Sequence, residues 1–264
     1  MLPICNQVGK VFLVGAGPGD PELLTVKAIG AIQAAQVVVY DRLVSPGVLA
    51  LVPAGAARID VGKRPGHHPV PQEEIGRTLV RLAKGQRLVV RLKGGDPLLF
   101  GRGGEEALAL SAAGVPFEII PGITAAQACA AALRVPLTHR GTATSVRYLT
   151  GHCRADKALE FDWRGLADPH TTLVVYMGLA NIAEIAAQLI RHGRAGCTPV
   201  LAVSRGTLAD ERWLVSSLQA VEQDVKDADL SSPTVFVVGE VVELAQLSEV
   251  ESHARKMHQI AATL

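Results

Sequence analysis

The sequence predicts an α/β protein built of two α/β domains, with a binding cleft between them. Short apolar runs of the length of buried strands alternate with segments of helical periodicity along most of the chain. Glycine-rich turns follow several of these runs, and open α/β sheets bind their ligands just beyond the carboxyl ends of the strands. The alternation breaks near Val135–Gly141, so the domain boundary is placed between residues 1–137 and 138–264.

The first domain is expected to hold a mostly parallel sheet, because each of its strands is followed by a helix. The strand patterns lie at 11–15, 37–40, 58–61, 88–92 and 117–120, and most of them are rich in Val, Ile and Leu. The helical patterns lie at 22–35, 47–52, 72–84, 105–113 and 124–133. Asp20 and Pro21 suit the start of the first helix, as an N-cap and a first-turn proline.

The second domain repeats these patterns with a hint of antiparallel pairing. Strands are predicted at 145–150, 172–176, 198–204 and 234–238, and helices at 181–192 and 217–227. Residues 206–215 fit one arm of a hairpin, which would place antiparallel strands in this half. The polar tail from Ser248 has a helical pattern and is expected to be peripheral.

Composition and charge limit the classes of function. The net charge of +1 does not favour nucleic acid or an acidic membrane as a partner. The chain has no run of about 18 apolar residues and no long apolar stretch before Lys10, so neither a transmembrane helix nor a signal peptide is expected. Scattered cysteines are typical of a reduced, cytoplasmic protein without disulfides or a zinc site; here they are Cys5, Cys129, Cys153 and Cys197.

Residues 89–106, VVRLKGGDPLLFGRGGEE, form the strongest candidate for a ligand site. A buried strand leads into Gly94-Gly95-Asp96-Pro97, and a second glycine cluster precedes the next helix. Glycines expose backbone N–H and C=O groups and let a ligand approach without interference from Cβ atoms. A tight turn closed by Asp96-Pro97 is the alternative. A phosphate-binding P-loop is excluded, since no Gly-Lys-Ser or Gly-Lys-Thr follows.

The first turn, Gly15–Pro21, has some features of a dinucleotide-binding loop, and Asp41 lies where a ribose-binding acid would be expected. Two residues oppose that interpretation. Asp20 replaces the third glycine and would place negative charge at the helix N-terminus, and Pro18 lacks an N–H group for a phosphate. A nicotinamide cofactor is therefore not favoured.

Several sequence blocks carry a family resemblance. They are Val14–Thr25, Tyr40–Val44, Val61–His68 with Gln72–Ile75, Arg91–Pro97, Phe100–Glu106, Pro121–Ala125 and Pro136–Gly141. In this order they resemble the tetrapyrrole methylases, which use S-adenosylmethionine (SAM) and have a two-domain α/β fold. Within that family, the Gly62-Lys63-Arg64 block and Phe100–Glu106 are most similar to members that methylate uroporphyrinogen III.

The resemblance implies a SAM-dependent C-methyltransferase. Methyl groups would pass to C2 and C7 of uroporphyrinogen III and give precorrin-2, in sirohaem, cobalamin or haem d1 biosynthesis. A later precorrin is the alternative substrate, and a non-catalytic tetrapyrrole-binding protein is the alternative class. Related methylases of rRNA would need a wide basic surface, which the net charge of +1 does not support. No dehydrogenase–ferrochelatase region precedes the first strand pattern, so methylation alone is expected.

The same resemblance assigns the cofactor contacts. Gly94, Gly95 and Asp96 would line the SAM site, and the further contacts would be Pro18, Leu99, Thr124, Ala125, Met177 and Gly206. From the residues alone, Asp96 is also explained as a turn former and Met177 as a core residue. The match at Gly206 rests on Arg205-Gly206-Thr207 only.

Two residues match the proton-transfer positions of the family: Asp41 as the acceptor and Lys63 as the donor. For Asp41, the alternative is a carboxylate that caps a loop or pairs with Arg42. For Lys63, the alternative is a surface lysine. A lysine that donates a proton near neutral pH needs a lowered pKa, which a sequence does not reveal.

The expected substrate carries eight carboxylates, and arginine binds carboxylates bidentately. The candidates are Arg42, Arg64, Arg102 and Arg140. Arg102, which also counts as a catalytic candidate, is favoured because the flanking glycines free its backbone. Glu105 and Glu106 would stabilise a helix N-terminus, or Glu105 would contact a pyrrole N–H. The histidines show no metal-ligand pattern, so no metal is expected, and the resemblance suggests a homodimer.

Overall fold

The computed structural model describes residues 9–62, 70–85, 87–152 and 159–245. The chain divides into two compact units, Met1–Ala125 and Ala126–Leu264. Each unit is built around one five-stranded sheet with helices, so the predicted α/β class with two α/β domains is confirmed. Within the described ranges, no helix is long and apolar enough to cross a membrane.

The first unit holds five parallel strands in the order β3-β2-β4-β1-β5. The strands are β1 (Val11–Gly15), β2 (Val37–Tyr40), β3 (Ala57–Asp60), β4 (Val89–Lys93) and β5 (Phe117–Ile120). The helices are α1 (Val26–Ala34), α2 (Pro46–Ala50), α3 (Gln72–Lys84) and α4 (Gly103–Ala112). Every residue of the central strand β4 is buried, as expected for a parallel sheet covered on both faces.

Helices cover the two faces of this sheet in pairs. α1 and α2 pack on the face that carries Val14, Val38 and Val90. α3 and α4 pack on the face that carries Leu13 and Val39. Crossovers between parallel strands are right-handed, so connections that run toward β3 and those that run back toward β5 lie on opposite faces. The connection that leaves β1 runs toward β3, and the connection that leaves its neighbour β4 runs toward β5. The switch point of the sheet therefore lies between β1 and β4.

The first predicted helix, at 22–35, is divided in the structure. Asp20 accepts a hydrogen bond from the N–H two residues later, at 2.9 Å, and starts a 3₁₀ turn at Pro21–Leu23. Thr25 then caps α1 by accepting from the N–H three residues later, at 3.1 Å. The predicted N-cap and first-turn proline are confirmed, but the α-helix itself begins only after this second cap.

The second unit has a mixed sheet in the order β6-β7-β10-β8-β9. Its strands are β6 (Ser145–Thr150), β7 (Thr171–Tyr176), β8 (Pro199–Ser204), β9 (Arg212–Ser217) and β10 (Thr234–Val238). Its helices are α5 (Ala125–Ala132), α6 (Trp163–Leu166), α7 (Ile182–Arg191) and α8 (Val221–Asp227). β6 and β7 are parallel, and the other pairs are antiparallel. The antiparallel arm predicted in this half is therefore confirmed as β9.

The division between the units falls earlier in the chain than the boundary predicted after residue 137. Helix α5 explains the difference, because its Ala126 and Cys129 are buried in one cluster with Val174 and Leu201 of the second sheet. The sequence break near Val135 therefore follows a helix that already packs with the second unit.

Candidate active site

Two loops that pair with each other form the switch point of the first unit. Gly95 donates its N–H to the Gly17 carbonyl at 2.7 Å, and Gly17 donates to the Gly95 carbonyl at 3.2 Å. A third bond, from the Ala16 N–H to the Lys93 carbonyl at 2.8 Å, joins the first loop to the end of β4. The two glycine-rich segments of the sequence therefore meet at the carboxyl ends of β1 and β4, where open sheets bind ligands.

Three strand ends approach each other here more closely than Cβ atoms would allow. A Cβ on Gly15 would lie 2.5 Å from the Gly122 Cα and 2.7 Å from the Gly95 carbonyl oxygen. A Cβ on Gly122 would in turn collide with the Gly95 carbonyl oxygen. Gly95 also has a φ of +67°, which glycine adopts without strain. The ends of β1, β4 and β5 thus present bare backbone.

The Asp96 carboxylate is held by the backbone of two loops. One oxygen accepts from the Leu98 N–H at 2.8 Å, and the other accepts from the Gly122 N–H at 3.1 Å. Asp96 is therefore a turn former, as one interpretation of the sequence proposed. Because the side chain is only half-buried, the same bonds also fix a carboxylate beside the glycine loops.

Arg102 begins α4 with a left-handed backbone, at a φ of +58°. The glycines beside it serve close packing, since a Cβ on either Gly101 or Gly103 would collide with the Pro97 carbonyl oxygen. A non-glycine residue at positive φ costs free energy and is found preferentially at functional positions. The glycines therefore shape the loop, and the strained residue is the arginine itself.

Arg102 and Glu105 form a bidentate ion pair, with Nε–Oε1 and Nη2–Oε2 distances of 2.8 Å. Their side chains are 56% and 54% exposed. The hydrogen bond to Glu105 raises the pKa of the Arg102 guanidinium, which stays charged. Glu105 does lie in the first turn of α4, as expected, but its carboxylate holds the arginine in one orientation.

Asp41 directly follows β2 and is held by two hydrogen bonds. Its Oδ1 accepts from the Leu43 N–H at 3.1 Å, and its Oδ2 accepts from Arg91 Nη2 at 3.1 Å. The loop-capping alternative is thus confirmed, and the cationic partner is Arg91 of the neighbouring strand rather than Arg42. The carboxylate remains 27% exposed.

Arg91 belongs to a buried polar cluster of Gln72, Arg91, Lys93 and Glu106. Glu106 Oε1 accepts from Arg91 Nε at 3.2 Å, from Lys93 Nζ at 3.0 Å and from Gln72 Nε2 at 3.0 Å. The exposed side-chain fractions of the three charged members are only 3%, 4% and 0%. Among the described residues, Glu106 Oε2 has no hydrogen-bond partner. Glu106 lies in the first turn of α4, as expected, but its side chain binds residues of β4 and α3.

Charge balance makes this burial tolerable. Two cations, Arg91 and Lys93, lie beside two carboxylates, Glu106 and Asp41, whereas an unpaired buried charge would cost several kcal/mol. Burial lowers the pKa of Lys93, and the positive charge of Arg91 lowers it further, while Glu106 opposes both. The lysine is the member whose charge burial penalises most clearly.

The cluster was missed from the sequence, although a signal for it exists. Arg91 and Lys93 alternate within an otherwise apolar strand, so both side chains lie on one face. Two cations on one face of a buried strand need an anionic partner, and the helix that follows supplies Glu106.

In the second unit, Met177 directly follows β7 with a φ of +53° and is 49% exposed. The interpretation of Met177 as a core residue is therefore wrong. The carboxyl ends of β6 and β7 also approach each other closely at glycines, since a Cβ on Gly151 would lie 2.5 Å from the Gly178 Cα. Asn181 Nδ2 fixes this contact by donating to the Gly151 carbonyl at 2.7 Å.

Gly206 lies between two residues with positive φ, Arg205 at 54° and Thr207 at 66°. A Cβ at this position would collide with the Sγ of Cys129 in α5. Burial raises the pKa of the Cys129 thiol to about 12, so the group stays protonated. Cys129 is thus a packing residue that requires a glycine at 206, and not a nucleophile.

The remaining predicted residues are placed as follows. Half-buried positions are Pro18, Gly94, Leu99, Thr124 and Ala125, and exposed positions are Arg42 and Arg140. Lys63 and Arg64 lie outside the described residues, so their roles stay predictions. Within the part of the chain that is described, no group of three His, Cys, Asp or Glu side chains could hold a metal ion.

Bare backbone at the switch point, with fixed carboxylates beside it, is typical of α/β enzymes that bind a small ligand at their strand ends. The family model of the tetrapyrrole (corrin/porphyrin) methylases matches residues 10–222. The chain belongs to this family, and the resemblance seen in the sequence is confirmed.

Curated relatives differ in how much of their length this chain spans. A uroporphyrinogen-III C-methyltransferase of Paracoccus denitrificans is 54% identical over 239 residues, which cover 90% of this chain and 83% of the relative. A siroheme synthase of Azotobacter vinelandii is 52% identical over 239 residues, which cover 90% of this chain and 51% of the relative. The chain thus spans about half the length of that siroheme synthase.

Solved structures show the same fold. Uroporphyrin-III C-methyl transferase from Thermus thermophilus, complexed with S-adenyl homocysteine, is 44% identical with a TM-score of 0.76, covering 89% of this chain and 100% of that one. A cobalt precorrin-4 methyltransferase is 27% identical with a TM-score of 0.80, covering 91% of this chain and 99% of that one.

Gly122→Ala tests the close approach of the strand ends. The new Cβ would meet backbone atoms of Gly95 and Gly15, so unfolding free energy should fall by about 1–3 kcal/mol. Gly30→Ala in α1 is the control, because a Cβ there meets nothing within 4 Å and should stabilise the helix by about 1 kcal/mol. Urea unfolding measures both, and equal effects would contradict the packing argument.

Lys93→Met tests the buried cluster through the pH dependence of stability. The folded-state pKa of Lys93 lies below the ordinary 10.5, so the unfolded chain holds the proton more tightly. Wild type should therefore gain unfolding free energy relative to the variant as the pH rises toward 10.5. Urea unfolding across the alkaline range measures this difference. Lys226→Met, at a lysine whose side chain is 64% exposed, is the control, and a wild-type difference that stays constant with pH would contradict the assignment.

Proposed function

We propose that this chain is a SAM-dependent C-methyltransferase that converts uroporphyrinogen III to precorrin-2 by methylation at C2 and C7. The proposal rests on the 54% identity to a uroporphyrinogen-III C-methyltransferase over 90% of this chain. It is supported by the Thermus thermophilus structure, whose ligand, S-adenyl homocysteine, is SAM without its methyl group.

The glycine loops of the first unit fit SAM. Gly94 and Gly95 present backbone without Cβ atoms, so donors and acceptors on the ligand can reach N–H and C=O groups directly. Asp96 places a fixed carboxylate beside them, which suits the positively charged methionine part of SAM. Thr124 lies next to Gly95, since a Cβ on that glycine would be 3.8 Å from the Thr124 Cα. The contacts at Pro18, Leu99, Ala125, Met177 and Gly206 are proposed from the family resemblance.

SAM supplies a methyl group on a sulfonium, which is an excellent leaving group. A pyrrole carbon is already an enamine-like nucleophile, so the protein has mainly to align the reactants, and such positioning contributes about 7–11 kcal/mol at best. The methylated ring carries an additional positive charge until it releases a proton. Asp41 is the proposed acceptor, because its carboxylate is fixed at both oxygens and still partly exposed.

Arginines are proposed to bind the carboxylates of the tetrapyrrole. Arg102 is the strongest candidate, because Glu105 holds its guanidinium in one orientation and its backbone is strained. Arg42 and Arg140 are exposed and available for the same purpose. Arg64 and the proposed proton donor Lys63 are assigned from the resemblance alone.

We assign the enzyme to the cytoplasm as a homodimer that acts on a small tetrapyrrole, without a nucleic acid or membrane partner. The net charge of +1 and the scattered cysteines support the location and the choice of partner. The family resemblance supports the dimer, which light scattering on the purified protein would test.

An anaerobic assay with SAM and uroporphyrinogen III tests the function directly. Absorbance and product mass should report the gain of two methyl groups. Binding of SAM without methylation would contradict the substrate, and later precorrins would be tried next. Binding of both ligands without transfer to any precorrin would favour a carrier. Absence of SAM binding would contradict the site itself.

Arg102→Ala and Asp96→Asn should separate substrate binding from cofactor binding. Arg102→Ala removes a carboxylate ligand, so turnover should fall at least about 100-fold while SAM affinity changes less than about 3-fold. Asp96→Asn should first weaken SAM binding, as calorimetry would measure. Arg77→Ala is the matched control, because Arg77 is also exposed and paired with glutamates of its own helix. Parallel loss of SAM binding and turnover in Arg102→Ala would overturn the tetrapyrrole assignment.

A further inference from the structure

We propose that Arg91 is a positioning residue for methyl transfer: it holds the Asp41 carboxylate in one orientation, and Glu106 in turn holds Arg91. The inference rests on the proposed function, in which Asp41 accepts the proton. It assigns a purpose to the buried polar cluster, which neither the cofactor contacts nor the substrate arginines explain.

The guanidinium of Arg91 is fixed in three directions. Its Nη2 donates to Asp41 Oδ2 at 3.1 Å, its Nε donates to Glu106 Oε1 at 3.2 Å, and its Nη1 donates to the Leu92 carbonyl at 2.7 Å. Because a guanidinium is planar, three bonds to different groups leave it little freedom to rotate. The side chain is 3% exposed, so bulk water has little access to these bonds.

Glu106 is the rigid support behind this arrangement. One of its oxygens accepts from Arg91, from Lys93 and from Gln72, which come from β4 and α3. The carboxylate is fully buried, and its position is therefore set by the sheet and two helices together. Because Glu106 fixes the Arg91 guanidinium, Arg91 can in turn fix the carboxylate of Asp41.

Of the two carboxylates that bind Arg91 within the described ranges, Asp41 is the one that a ligand can reach. Its side chain is 27% exposed, whereas that of Glu106 is 0% exposed. The Leu43 N–H binds one oxygen at 3.1 Å, and Arg91 binds the other. Without Arg91, the Leu43 N–H would be the remaining donor to Asp41 in the part of the chain that the structure describes, and one bond does not fix rotation of the carboxylate about its own axis.

Stability alone does not account for the cluster. Buried ion pairs are weak stabilisers, and replacing them with apolar groups of similar volume is often neutral or favourable. Arg91 also lies on β4, which ends at Lys93 just before Gly94 and Gly95, so the same strand positions the glycine loop and the Asp41 carboxylate. One strand can therefore hold the proposed cofactor site and the proposed proton acceptor in a fixed position relative to each other, as methyl transfer requires.

A double-mutant cycle tests the proposal. Arg91→Lys keeps the charge but not the planar fork, so kcat should fall about 10- to 100-fold while KM for SAM stays within about 2-fold. In an Asp41→Asn background, the same substitution should change the residual kcat less than about 2-fold, because the positioned group no longer accepts a proton. Glu106→Gln, which keeps the shape of the support, should show a smaller loss that also disappears in that background.

Arg194→Lys is the matched control. Arg194 is also buried, at 3% exposure, but its guanidinium donates to backbone carbonyls of the second unit, including those of Leu166 and Thr171. The substitution should lower stability yet leave kcat within about 2-fold in both backgrounds. Either of two results would overturn the positioning role. One is a loss of kcat for Arg91→Lys that is equal in both backgrounds, and the other is an effect of Arg91→Lys on KM alone.

The activity of the wild-type protein shows which of the two proposals fails, the proposed function or the positioning role of Arg91. If wild type fails to methylate uroporphyrinogen III, the proposed function fails, and a crystal structure of Arg91→Lys then decides the positioning question. An Asp41 carboxylate rotated away from its 3.1 Å bond to the Leu43 N–H would support the inference. A carboxylate that stays in place would overturn it.

Discussion

The first unit depends on one steric constraint: the carboxyl ends of β1, β4 and β5 approach each other at distances that exclude Cβ atoms. Gly15, Gly95 and Gly122 make that approach possible. The Gly122 N–H then reaches Asp96, and the paired loops of β1 and β4 present their backbone groups at the switch point. The chemistry of this edge follows from packing, because a surface without Cβ atoms is one that a cofactor can approach closely.

Strand β4, which leads into Gly94 and Gly95, also contains two buried cations, Arg91 and Lys93. Apolar residues at 91 and 93 would be the simpler choice for a fully buried strand, since buried ion pairs seldom stabilise a fold. The helix that follows β4 supplies Glu106, and β2 ends at Asp41, so the charges balance within one cluster. A strand that positions both a glycine loop and a charged network connects the proposed cofactor site with Asp41, the proposed proton acceptor, in one rigid element.

The sequence predicted the class of fold, and the glycine segments that meet at the strand ends, better than it predicted side-chain partners. Strand ranges such as 11–15 and 117–120 matched because apolar periodicity and glycine turns are local signals. Helix α5 was predicted within the first domain, and only tertiary packing shows that its Cys129 is buried with residues of the second sheet. The contacts of Glu106 were missed for the same reason: its partners Lys93, Arg91 and Gln72 lie 13, 15 and 34 residues away on two other elements.

Backbone strain provides a second route to the site, and it does not depend on resemblance to a family. Among the described residues, positive φ values occur at seven residues other than glycine: Phe100, Arg102, Arg134, Met177, Arg205, Thr207 and Asp229. None of these conformations is favourable for a residue with a Cβ, so the surrounding packing must impose them. The family resemblance selects two of these seven residues, Arg102 and Met177, for substrate and cofactor contacts, and it also selects Gly206, which lies between Arg205 and Thr207. At Arg102 and Met177, backbone strain supports the proposed contacts, whereas Arg134 and Asp229 adopt the same conformation just after α5 and α8, where it ends a helix.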